Sequence, residues 1–245
     1  MASWLAALEA RHMADLRLPE VTRALRALSS AYVERRHALA RGAALDSAGK
    51  RAAFALFYAP LHFLVTHYIV QALDACAPKT IVDIGCGTGA AGAAWSVACG
   101  GTPRVTGIDR HPWAVDEARW TYRHLGLDGQ ARHGDAARFR PPQGDVGMVA
   151  AYVVNELPPD ARDTISETLV DAGRGGTRVL IVEPIARAAA PWWDAARAKF
   201  ETAGGRADEW RVALELPPLV AKLDEAAGLN HREVKARSLF IGRSK

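Results

Sequence analysis

Nine residues, Ile81-Val82-Asp83-Ile84-Gly85-Cys86-Gly87-Thr88-Gly89, restrict the fold of this chain more than any other stretch. An apolar run with one acid enters a turn holding three glycines. Apolar runs bounded by Gly are typical of a strand buried in a parallel sheet. Glycines this close together let a ligand approach main-chain atoms that a Cβ would shield. Ala90-Ala91-Gly92-Ala93-Ala94-Trp95 then continues as a helix. Its N-terminus faces the same spot. Strand, bare turn and helix together form a cofactor cradle.

Dinucleotide enzymes also use a glycine turn, with the spacing G-x-G-x-x-G. Here Gly85, Gly87 and Gly89 place the third glycine one position early. Asp83 stands two residues before the first. A carboxylate there repels a pyrophosphate and attracts an α-ammonium group. S-adenosylmethionine carries an ammonium and a sulfonium and no phosphate. The string resembles motif I of the class I S-adenosylmethionine-dependent methyltransferases, apolar-Asp/Glu-x-Gly-x-Gly-x-Gly. That resemblance implies that Asp83, Gly85, Cys86, Gly87, Thr88 and Gly89 bind S-adenosylmethionine.

The chain has 245 residues, enough for one substantial domain with an extension. A hydrophobic content of 49% with 24% charged residues fits an ordinary globular protein. The net charge of +4 comes from arginines spread along the chain. It permits an anionic partner such as RNA without requiring one. Cys76, Cys86 and Cys99 show no C-x-x-C pair and no zinc spacing, so no metal site is expected. They read as free thiols in a reducing compartment, hence a cytoplasmic location. Glu9, Arg11 and Asp15 follow too soon after the N-terminus for a signal peptide. Ala52 to Leu73 is apolar, but Pro60, His62, His67 and Gln71 interrupt it, so a buried helix is expected and no membrane partner.

Residues 1–75 read as a helical extension. Leu18-Pro19-Glu20 starts a helix whose apolar face carries Val21, Leu25, Leu28 and Tyr32, with a stop expected at Gly42. A second helix, or a pair broken near Pro60, covers Lys50 to Leu73. Residues 76–245 read as the cofactor-binding domain. Strands at Thr80–Ile84, Arg104–Ile108, Ala131–His133, Val146–Ala151 and Arg178–Val182 alternate with helices, which predicts a doubly wound α/β sheet. Helices are also expected at Trp192–Thr202 and Pro218–Ala227. A terminal strand pair is expected at Arg232–Lys235 and Ser238–Gly242. The resemblance implies a mostly parallel, seven-stranded Rossmann-like sheet with an antiparallel last strand.

Asp109 ends the second strand, where a carboxylate accepts both ribose hydroxyls in nucleotide folds generally. Arg110, His111 and Trp113 follow it near the adenine rim. Gly134-Asp135-Ala136 after the third strand resembles the family's adenine-contacting motif, or Asp135 caps its own turn. Residues ending the fourth strand, from Ala151 and Tyr152 to Asn155 and Glu156, lie beside the transferred methyl in the family. The Asn-Pro-Pro-aromatic string of its amino-methylating branch is absent here, because Glu156 follows Asn155. Glu183 ends the fifth strand and faces either the cleft or an arginine. Trp192, Trp193 and Trp210 read as a substrate lid or as cover for an apolar edge. A base is needed only if the acceptor arrives protonated, and Glu156, His111 and Tyr58 are the candidates. Tyr58 serves only if the helical extension folds over the donor site.

Leu18-Pro19, Asn155-Glu156-Leu157 and Val182-Glu183-Pro184 also resemble strings in the methyltransferase-like proteins of small-subunit ribosome assembly. That family's cysteine set for an iron–sulfur cluster has no counterpart here. The expected activity is methyl transfer to a small-molecule acceptor. The alternatives are an rRNA- or ribosome-binding protein with little catalysis, and a nicotinamide-dependent oxidoreductase. The acceptor atom and the oligomeric state are open at this point.

Overall fold

The computed structural model describes residues 1–34, 45–76, 78–185, 191–213, 215–229 and 231–242. The stop expected at Gly42 lies outside them. Helices α1 (Ala2–His12) and α2 (Leu18–Glu34) come first. One helix then runs from α3 (Ala48–Ala53) through a π turn (Phe54–Tyr58) into α4 (Ala59–Ala72). The Ser47 hydroxyl caps it by accepting from Lys50 N. Pro60 does not break it, although it lacks the N–H that would bond the Leu56 carbonyl. The π turn lies just ahead of Pro60, and Ala59 N–H donates to the Phe54 carbonyl five residues back. Ala48–Ala72 is long and apolar enough to cross a membrane by length and composition alone. Two-thirds of its apolar window is buried within the protein, as in a core helix.

The alternating region follows: β1 (Thr80–Ile84), α5 (Ala90–Ala98), β2 (Arg104–Asp109), α6 (Pro112–His124), β3 (Gly129–His133), β4 (Val146–Ala151), α7 (Pro159–Arg174), β5 (Arg178–Pro184), α8 (Trp193–Thr202), β6 (Arg206–Val212), α9 (Pro218–Ala227) and β7 (Val234–Ile241). The seven strands lie in the order β3-β2-β1-β4-β5-β7-β6. Neighbours from β3 to β5 are parallel, and β7 is antiparallel to both β5 and β6. The pleat sorts side chains by parity. Val82, Met148, Ala150, Val179 and Ile181 pack toward α7 and α8, while Ile81, Val149, Leu180 and Val182 pack toward α4 and α5. Both faces are covered, so these strands are apolar throughout rather than alternating.

Val21, Leu25 and Leu28 of α2 are fully buried, with Trp4 and Leu8 of α1, against the π turn, α5, α6 and α9. Two expectations need correction. The terminal strands expected at Arg232–Lys235 and Ser238–Gly242 are one strand, β7, and its partner is Arg206–Val212. That segment is charged because it forms the sheet edge, where charge blocks further pairing. Cys76 and Cys99 form a disulfide, and only Cys86 is a free cysteine among the described residues. The thiols therefore do not argue for a reducing compartment, and the cytoplasmic reading loses that support.

Candidate functional site

The strand order reverses between β1 and β4, and a ligand crevice forms at such a switch point, beyond the carboxyl ends of the strands. A cavity of about 320 Å³ lies there. At one end the turn after β1 exposes its backbone. Gly85, Gly87 and Gly89 have φ of +66°, +52° and +78°. A Cβ on Gly85 would sit 2.2 Å from Val153 Cγ2, and one on Gly89 would sit 2.7 Å from the Tyr122 ring. Gly85, Cys86, Gly87, Thr88, Ala90 and Ala91 line the cavity. Gly89 stands behind them and starts α5.

Two carboxylates hold this turn. Asp109 Oδ2 accepts from Gly87 N at 2.9 Å, and its Oδ1 accepts from His111 N at 2.8 Å. Each carboxylate oxygen has capacity for a further donor. Asp83 is buried, and its Oδ2 accepts from Gly92 N at 2.8 Å. Desolvation lifts its pKa from an ordinary 3.8 to about 7, opposed by the Gly92 bond and assisted by the nearby Asp109 charge. Burial, with both of these carboxylates, also keeps the Cys86 thiol protonated. Arg110, His111, Gly134, Asp135 and Ala136 complete this end. Asp135 does cap its own turn, accepting from Ala137 N at 3.0 Å, and still faces the cavity.

The helical extension roofs the cavity with Leu45, Phe54, Tyr58, Leu61 and His62. The Phe54 ring approaches the Cα of Gly87 so closely that a Cβ there would touch it at 3.4 Å. His62 stacks on Tyr152, with centroids 3.8 Å apart and 11° between planes. Tyr152 holds a left-handed φ of +59°, which aims the chain across the end of β4. Burial drives the His62 pKa down to about 3, so its ring is neutral. Tyr58 is pushed up to about 12 by burial, against a smaller effect from its hydrogen bond with Ser29. It stays a phenol and donates rather than accepting a proton. His111 stands beside Asp109 at the start of α6 and lines the same cavity. Its pKa is lowered, by burial first and then by Arg51.

Ala151, Tyr152, Asn155, Glu156, Glu183 and Pro184 form the wall beyond β4 and β5. Asn155 donates to both oxygens of Glu183, from N to Oε1 at 3.1 Å and from Nδ2 to Oε2 at 2.7 Å. Its Oδ1 accepts from Trp192 Nε1 at 2.7 Å. Glu183 is fully buried opposite Arg237 in the β5–β7 register. Burial raises its pKa from 4.5 to about 8, with the Asn155 bond and Arg237 pulling it down and Glu156 pushing it up.

The tryptophan lid is not formed. Trp192 acts from behind Asn155, Trp193 packs in the core under the Arg237 guanidinium, and Trp210 donates to Ser238 Oγ on the β6–β7 edge. None of the three lines the cavity. The indole N–H groups of Trp192 and Trp210 find partners in the sheet and its turns, which satisfies them there. Sequence reasoning missed Phe54, His62, His231 and Lys235, all of which line the cavity. His62 and Phe54 are separated by eight positions on one helix, and no local motif marks them.

The glycine cradle, with Asp109 beside it, would suit a nucleoside in the cavity that Tyr152 and Asn155 also line. S-adenosylmethionine would be held by Asp83, the Gly85–Thr88 backbone, Asp109 and Asp135.

A methyltransferase domain family matches residues 81–175. Protein-L-isoaspartate O-methyltransferase of Paracoccus denitrificans is 35% identical over 96 residues, covering 39% of this chain and 43% of that protein. The chain thus spans less than half the length of the curated relative it matches. Among solved structures, a candidate RNA methyltransferase from Pyrococcus horikoshii aligns with a TM-score of 0.51 at 11% identity, over 75% of this chain and 83% of that one. A plantazolicin methyltransferase bound to S-adenosylhomocysteine aligns at 0.50 and 13% identity, over 92% and 98%. These likenesses concern the fold, and their differing acceptors show that the fold does not dictate the acceptor. From the glycine turn through α7, the chain matches a methyltransferase domain family, on a fold shared with S-adenosylmethionine-dependent methyltransferases.

Proposed function

We propose that the protein transfers a methyl group from S-adenosylmethionine to a small molecule by in-line displacement. The observation that carries this reading is the single cavity joining the cradle of Gly85, Gly87 and Asp109 to the wall of Tyr58, His62, Tyr152 and Asn155. Bound S-adenosylmethionine supplies a methyl group on a sulfonium, which is already an excellent leaving group. The protein then has to hold the acceptor close, aligned and dry. Such orientation contributes up to roughly 7–11 kcal/mol in well-placed reactions. Asp83 and Asp109 anchor the donor end. Phe54, Leu61 and the His62–Tyr152 stack exclude water. The Asn155 amide keeps its place through Glu183 and Trp192. A mostly apolar pocket roofed by the helical extension suits a small acceptor better than an RNA strand, which needs an open basic groove.

Calorimetry with S-adenosylmethionine, S-adenosylhomocysteine, NAD and NADP tests the reading. Binding of both sulfur nucleosides and neither dinucleotide is expected. A response to NAD alone would make the protein an oxidoreductase. Salt-sensitive RNA binding with no uptake of either sulfur nucleoside would favour the ribosomal alternative.

A further inference from the structure

We propose that His231, held by Asp224, is the proton acceptor for a hydroxyl on a flat aromatic acceptor. This assignment rests on the methyltransferase reading and specifies its substrate class. Asp224 lies on α9 and is buried, on the same face as Val220 and Leu223. Its Oδ2 accepts from His231 N at 2.8 Å, and its Oδ1 meets His231 Nδ1 at 2.5 Å. The backbone bond alone would close the loop. The second bond goes to the ring and sets its tautomer: Nδ1 carries the proton shared with Asp224, and Nε2 keeps its lone pair. The His231 side chain is 35% exposed and lines the same cavity as the glycine cradle.

The topology explains why a loop so late in the chain reaches the site. Because β7 runs antiparallel to β5, its first residues stand beside the carboxyl end of β5, with Ala236 opposite Pro184. The segment leading into β7 therefore lands on the rim where the parallel strands end. Against it pack α9, which supplies Asp224, and the π turn, which supplies the Phe57 ring 6.0 Å away. Besides the Asp83, Cys86, Asp109, Arg110, His111 and Asp135 side chains of the cradle end, the titratable groups lining the cavity with His231 are Tyr58 and His62 from the roof, Tyr152, Glu156 and Glu183 from the ends of β4 and β5, and Lys235 from β7 itself. Lys235 is paired with Glu233 at 3.0 Å. Tyr58 and His62 do not compete for the proton, for the reasons given above. An aromatic acceptor suits Phe54, Leu61 and the His62–Tyr152 stack. A cation at Lys235 favours an oxygen that gains negative charge over an ammonium.

In the step, the hydroxyl proton passes to His231 Nε2, and the O–H electron pair stays on oxygen. An oxygen lone pair forms the bond to the methyl carbon. The electrons of the carbon–sulfur bond leave with sulfur as a neutral thioether. The imidazolium then returns its proton to water, while Asp224 stabilises the cation in between.

The test uses the full chain loaded with S-adenosylhomocysteine, and 4-nitrophenol as the probe, read by the absorbance of its phenolate. Wild type is expected to shift the bound dye toward phenolate by about one pH unit, tenfold in the phenolate-to-phenol ratio. His231→Gln abolishes the shift and Asp224→Asn reduces it. Calorimetry of S-adenosylhomocysteine should give the same affinity, within about twofold, for all three proteins. That result separates the two readings, because failure of wild type to bind the nucleoside sinks the methyltransferase reading itself. The dyad assignment is overturned if the nucleoside binds and the dye does not, if the dye binds as neutral phenol, or if the phenolate shift survives His231→Gln. Capture of phenethylamine in place of the dye would overturn the hydroxyl class.

Discussion

Gly87 N–H donates to Asp109 Oδ2 across 2.9 Å, so the bare turn after β1 is tied to the last residue of β2. The same carboxylate holds the first turn of α6 through His111 N. One side chain thus shapes the cradle and also lines the cavity. Asp109→Ala is expected to weaken S-adenosylhomocysteine binding at least about tenfold, or ~1.4 kcal/mol. Calorimetry checks it, and unchanged affinity would remove Asp109 from the ligand site.

Gly85 and Gly126 share a left-handed φ, +66° and +68°, but not their surroundings. A Cβ at Gly85 meets Val153 at 2.2 Å, whereas nothing lies within 4 Å of one at Gly126. Gly126→Ala should cost about 1 kcal/mol, from backbone strain alone. Gly85→Ala should cost about 1–3 kcal/mol more, because Val153 must move. Denaturant unfolding of both variants gives the order, and equal midpoints would mean that Val153 yields freely.

Asp83 and Glu183 titrate near 7 and 8 in the folded chain, against ordinary values of 3.8 and 4.5. Between those limits the native state binds more protons than the unfolded state, so their contribution to stability falls as pH rises. Free protein should therefore lose stability from about pH 4 to about pH 8 through these two groups. Asp83→Asn and Glu183→Gln should each flatten part of that slope in urea unfolding at several pH values. A slope unaltered in both variants contradicts the burial effect.

The ammonium of S-adenosylmethionine favours ionised Asp83. Affinity should rise with pH through the Asp83 titration near 7, with protons released on binding. Calorimetry in buffers of different ionisation enthalpy measures that release. Asp83→Asn should bind more weakly and release none from this site, whereas equal release would place the ammonium elsewhere.

Asn155→Ala takes away both the Nδ2 bond to Glu183 and the acceptor of the Trp192 indole. Leaving buried Glu183 short of one donor should cost about 1–3 kcal/mol. Trp192 fluorescence should move toward that of a solvated indole. Thermal unfolding and emission spectra read the two effects separately. Unchanged emission would show that the indole holds its place without Asn155.

Local chemistry carried the cradle. Residues 81–89, Asp109 and Asp135 are legible because they lie at strand ends and in the turns that follow, where short consecutive strings encode the geometry. The strands β1, β4 and β5 are legible for a related reason, since burial on both faces makes them apolar runs. β6 was not, because an edge strand with one solvent side carries the charges of Arg206, Asp208, Glu209 and Arg211 and resembles a loop. The same gap turned Trp210 into a lid residue.

Sequence alone determined which kind of nucleoside the turn accepts, through backbone conformation and one carboxylate. Only the tertiary structure decided what faces that nucleoside. The seating of the Phe54–His62 roof on Gly87 and Tyr152, the Asn155–Glu183–Trp192 clamp and the packing of His231 against Phe57 all join residues from separate elements. Their meeting depends on the helix running unbroken past Pro60 and on β7 turning back against β5. Such contacts follow from packing over long sequence separations, and no local spacing encodes them.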